Sequence, residues 1–142
     1  MNDFIEIYDN SAPQDLCNEL IKWFDLCSDK KFTYYNMPLN QGPEGRRRSL
    51  RSDEVISVPC SPVSVSSFAL SDEACDAYWG VLRKCVSNYA EKYDLYDLHL
   101  CCHTFKLHKV KEGQGYHIWH YENVGDFKSG RRVLAWMTYL RV

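Results

Sequence analysis

Apolar residues recur at three- and four-residue spacing in two stretches of the chain, and that spacing predicts two helices. In the first, Leu16, Leu20, Trp23, Phe24 and Cys27 form one stripe. Ser11 is its expected N-cap, Pro13 falls where a missing N–H costs nothing, and Asp15 sits in the first turn, where the helix dipole favours a negative charge. In the second, Ser71 is the expected cap, Asp72 and Glu73 lie at the positive end, and Ala74, Tyr78, Val81, Leu82, Cys85, Val86 and Tyr89 carry the stripe to about Lys92. The aromatic residues of both stripes are read as core, not as ligands of a cofactor.

A period of two marks the expected strands. Ile5 and Ile7 alternate with Glu6 between Phe4 and Tyr8, which predicts a short strand running into a turn at Asp9-Asn10. From Lys30 to about Phe68 periodicity is lost, and Pro38, Gly42, Pro43, Gly45, Pro59 and Pro62 stand among serines, so long loops with brief strands are expected. Leu98 to Val110 and Arg132 to Leu140 read as strands, with Gly113 and Gly115 marking the turn after the first. Helices first and strands afterwards favour an α+β fold with helices packed on one sheet face, and argue against a regularly alternating βαβ chain. The chain has no internal repeat and no low-complexity tract.

Composition narrows the class. A length of 142 residues fits a single domain over 1–142, and 45% hydrophobic with 25% charged residues is the balance of a folded globular chain. A net charge of −2, from 17 basic and 19 acidic residues, gives no general attraction to nucleic acid or to acidic membranes. Arg46, Arg47, Arg48 and Arg51 form the one dense basic cluster, read as a solvated loop ahead of a grip on phosphate or an acidic peptide. No run of about 18 apolar residues is present to cross a bilayer, and acids occupy the start of the chain where a secretory signal has bases, so a cytoplasmic protein is expected. Seven cysteines, an odd number without a C-x-x-C pair, read as reduced, buried thiols.

The candidate chemistry lies in Gly115-Tyr116-His117-Ile118-Trp119-His120-Tyr121-Glu122. On a strand, residues two apart share a face, so His120 and Glu122 project together while His117, Trp119 and Tyr121 project the other way. An imidazole and a carboxylate side by side are two members of the two-His-one-carboxylate triad that holds non-haem iron. The same spacing also suits a core histidine hydrogen-bonded to its neighbour. In the strand expected after it, Val133, Ala135, Met137 and Tyr139 share one face and Leu134, Trp136, Thr138 and Leu140 the other; both are largely apolar, which predicts burial on both sides.

The string GQGYHIWHYEN, followed by RVLAWMTYL, resembles the iron(II)/2-oxoglutarate-dependent dioxygenases of the prolyl 4-hydroxylase-like superfamily, in particular a group found in phages and marine microbes. The similarity is close over Lys106 to Leu140 and looser over the first helix. It implies helices packed on an incomplete double-stranded β-helix, or jelly-roll, core. It implies that His120 and Glu122 are metal ligands, with Glu in place of the more usual Asp and His117 as the second choice of ligand. It also implies that Tyr139 contacts 2-oxoglutarate, although Arg141 stands where the family usually has Asn; a core tyrosine is the other reading of Tyr139.

The superfamily's second histidine ligand, and an Arg or Lys for the distal carboxylate of 2-oxoglutarate, come downstream of the carboxylate ligand. His99, His103 and His108 all precede it. The expectation is therefore the first two-thirds of such an enzyme, truncated as given, holding Fe(II) weakly and prone to self-association through open sheet edges. The activity implied is that of a hydroxylase, with peptidyl proline as one candidate substrate. Two alternatives stand beside it: a non-catalytic β-rich binding module or inactive remnant, and, ranked last, a zinc site drawn from Cys101, Cys102, His103 and His108.

Overall fold

The computed structural model describes residues 4–36, 51–59, 70–95, 104–116 and 133–141. Among these the protein is mixed α and β. The element order is α1 (Gln14–Asp29), β1 (Tyr34–Asn36), β2 (Arg51–Pro59), α2 (Asp72–Lys92), β3 (Thr104–Lys109) and β4 (Gly115–Tyr116). The chain divides into two compact units, Met1–Phe32 with Ser57–Lys106 and Thr33–Ile56 with Leu107–Val142.

In the first unit the periodicity of the sequence becomes a helix pair. α1 buries Leu16, Cys17, Leu20, Phe24 and Cys27, while Trp23 is half-buried. It begins two residues later than the sequence suggests. Pro13, not Ser11, is the N-cap, and no side chain caps the end. The fixed proline φ, −59° here, presets the entry, and the Pro13 carbonyl accepts from the Cys17 N–H at 3.1 Å. α2 starts as expected at Ser71, whose hydroxyl accepts from the Ala74 N–H at 3.1 Å. The same hydroxyl donates to Glu19 Oε1 of α1 at 3.0 Å, tying the two helices where they pack. Leu70, Ala74 and Tyr78 are buried, and Val81, Leu82, Cys85, Val86 and Tyr89 farther along the stripe are half-buried. Tyr78 and Trp79 close on Phe105, with ring centroids 4.6 and 5.4 Å away, so this end of α2 buries its aromatic side against the start of β3.

Both helices stop in the same manner. Lys31 and Asp94 take the left-handed conformation, with φ of 61° and 54°, and the next residue's N–H reaches back into the last turn: Phe32 to Cys27 O and Leu95 to Ala90 O, each at 2.9 Å.

The sheet is built on β2, which pairs with β1, β3 and β4. β1 runs antiparallel to it with Tyr34 opposite Val55 and Asn36 opposite Asp53; β4 runs antiparallel with Gly115 opposite Ser52. β3 alternates, burying Phe105 and Leu107 and exposing Thr104, Lys106 and His108. Three expectations are corrected. The stretch expected to hold long loops with brief strands contains a nine-residue strand, β2. Residues 4–8, expected as a strand, join no sheet, and neither do the described residues 133–140 of the stretch Arg132 to Leu140, expected as a strand buried on both faces. In that last stretch Val133 is 57%, Met137 82% and Tyr139 75% exposed.

Candidate functional site

The turn that leads toward the histidine segment is described in detail. β3 ends at Lys109, and a turn over Lys111–Gln114 follows, closed by the Gln114 N–H donating to Lys111 O at 2.9 Å and by Gln114 Oε1 accepting from the Lys111 N–H at 2.9 Å. Gly113 sits in it with φ of 75°, a conformation that costs a residue with a Cβ about 1–2 kcal/mol. Gly115, with φ of 147°, opens β4, and its N–H reaches Ser52 Oγ at 3.4 Å. The Gly-containing turn expected from the sequence is therefore present, and a strand begins directly after it.

His120, Glu122 and His117 lie outside the described residues. So do Cys60, Cys101, Cys102, His99 and His103. Tyr139 is described: it belongs to no strand, and three-quarters of its surface is exposed. Among the described residues no group of three or more His, Cys, Asp or Glu side chains stands where it could hold a metal ion. A three-donor site in this chain must then draw on residues beyond them. Of the described cysteines, Cys17 and Cys27 are buried and Cys75 and Cys85 half-buried, and burial pushes the Cys27 thiol above its ordinary pKa.

Sequence reading missed a pair of buried acids on β2. Asp53 and Glu54 are each only 4% exposed. Asp53 Oδ2 lies 2.6 Å from His108 Nδ1 of β3, and Glu54 Oε1 accepts a hydrogen bond from the Thr33 hydroxyl. A carboxylate on Nδ1 fixes ring orientation and, in the neutral imidazole, favours the tautomer with its proton on Nδ1. The one hint in the sequence is period-two spacing: Arg51, Asp53, Val55 and Ser57 on one face, and Ser52, Glu54, Ile56 and Val58 on the other. With an acid on each face, that alternation carried no clean apolar side. Comparison with family models, with curated proteins and with solved structures returned no match.

Proposed function

We propose that the chain is an iron(II)/2-oxoglutarate-dependent dioxygenase by descent, a hydroxylase of the prolyl 4-hydroxylase-like kind, built on part of a double-stranded β-helix. The observation that carries this reading is the segment GQGYHIWHYEN followed by RVLAWMTYL. The turn at Gly113 and the strand start at Gly115 support it, because a strand is what aligns His120 and Glu122 on one side.

In this reading His120 contributes an imidazole nitrogen and Glu122 a carboxylate oxygen to the metal, and both must be deprotonated to do so. The donor set suits Fe(II), for which one imidazole and one carboxylate are two-thirds of the usual facial arrangement. Iron with 2-oxoglutarate and oxygen supplies oxidative decarboxylation, giving succinate and carbon dioxide while a substrate C–H becomes C–OH. The chain's own part is to hold and orient. Tyr139, three-quarters exposed, would offer its hydroxyl to a carboxylate of the co-substrate. Gly115 pairs opposite Ser52, so a strand continuing in that register would carry even-numbered residues on the face of Asp53. The reading requires that continuation.

The test is succinate production by purified chain given Fe(II), 2-oxoglutarate and oxygen. Succinate formed by the wild type and abolished in His120→Ala is the expected outcome; no succinate together with no iron binding would sink the reading.

A second reading, a non-catalytic β-rich binding module, is favoured by the apolar side chains of Val133, Met137 and Tyr139 standing exposed along one short stretch. It predicts no iron uptake under the same conditions.

A further inference from the structure

Residues 4–10 run ahead of α1 without joining a sheet, and their burial is inverted. Glu6 and Tyr8 are half-buried, whereas Phe4, Ile5 and Ile7 are 60%, 69% and 81% exposed. Polar contacts, not apolar burial, fix this segment to the last turns of α2. Glu6 Oε1 accepts from Lys92 Nζ and from the Tyr93 hydroxyl, the latter at 2.6 Å, and the Tyr89 hydroxyl donates to the Phe4 carbonyl at 2.7 Å. The Phe4 ring lies 5.0 Å from that of Tyr93, which is itself 4.6 Å from Tyr89. Left-handed residues stand at both ends, Phe4 with φ of 55° and Asn10 with φ of 54°. Asparagine tolerates that conformation; for phenylalanine it is strained, and the strain persists only while surrounding contacts hold it.

We propose that residues 4–10 form a releasable strap over the Tyr89–Tyr93 ring pair, latched by Glu6 on Lys92 and Tyr93 and opened by protonation of Glu6. The groups facing Glu6 are Lys92 and Tyr93 from α2 and Tyr8 from its own segment; Cys85 and Tyr89 face Tyr8. Lys92, and after it Tyr93, hold the Glu6 carboxyl below its usual pKa. A carboxyl lowered in the attached state stabilises attachment fully above its free pKa, and that contribution is lost as pH falls through the lowered value. The strap is therefore closed at neutral pH and released in acid. Lys92 is 58% exposed, so salt weakens the latch as well.

Hydrogen exchange followed by mass spectrometry, corrected for the intrinsic pH dependence of exchange, tests this. At neutral pH, Glu6→Gln should raise opening of the peptide covering residues 4–10 by about threefold or more while the α2 peptide keeps its protection. Tyr93→Phe, which keeps the ring and removes one hydrogen bond, should give a smaller rise in the same direction. Opening in the wild type should increase toward acid, and in Glu6→Gln that dependence should vanish. Opening unchanged in both variants, α2 loosening in step with the segment, or an acid dependence that survives Glu6→Gln would each overturn the proposal.

Discussion

Ser71 uses one hydroxyl twice, accepting from the Ala74 N–H and donating to Glu19 of the neighbouring helix. Ser71→Ala should lower unfolding free energy by about 1 kcal/mol, read from the urea midpoint. Ser71→Asp should recover most of the capping part, yet set a second carboxylate beside Glu19. The buried acids of β2 matter more. His108→Ala takes away an imidazole 2.6 Å from a carboxylate that is 4% exposed, and should cost about 1–3 kcal/mol in the same measurement. Trp79 is a different case: among the described residues its buried Nε1 has no hydrogen-bond partner, so Trp79→Phe should forfeit packing against Phe105 but no hydrogen bond to them. None of these contacts could be read from the sequence. A serine before an apolar stripe is a recognisable cap, but its second bond depends on which helix lies alongside. An acid in a proline-flanked stretch reads as solvated until the histidine opposite is known.

Helices were readable because their signal is local: a stripe of apolar residues and a stop. Their endings still needed the structure. Lys31 and Asp94 occupy left-handed positions usually given to glycine, so no glycine announced either stop. Lys31→Gly should stabilise the protein by about 0.5–1 kcal/mol, since the side chain is exposed and the backbone strain is relieved. No gain, or a loss, in thermal or urea unfolding would show that the Lys31 conformation is not strained. Gly113 is the opposite case, a glycine where φ of 75° calls for one; Gly113→Ala should destabilise the turn into β4. Strands were read less well, in both directions. β2 was hidden by Asp53 and Glu54, one on each face. Residues 133–140 have strand composition, but composition alone does not supply a pairing partner, and exposed Met137 and Tyr139 show how far this stretch stands from the doubly buried strand expected. The segment 4–8 alternates like a strand, yet Lys92 and the tyrosines of α2 hold its polar side inward instead.

At the scale of the molecule, most of the buried apolar side chains among the described residues belong to the helix-bearing unit: Leu16, Leu20, Phe24, Ala74, Tyr78 and Phe105 among them. Leu20 is fully buried, and Leu20→Ala should cost about 2–5 kcal/mol, a large share of the stability of a domain this size. In the strand-bearing unit the described residues buried are Val55 and Leu107, beside Asp53 and Glu54. Among the described residues no helix is long and apolar enough to cross a membrane. The central claim is that His120 and Glu122 hold divalent iron, and equilibrium dialysis of Fe(II) without oxygen, with 2-oxoglutarate present, measures it directly. Weak, saturable binding of one iron per chain, retained in His117→Ala and lost in His120→Ala and Glu122→Ala, is predicted; iron uptake that is absent in the wild type, or indifferent to His120 and Glu122, would contradict it.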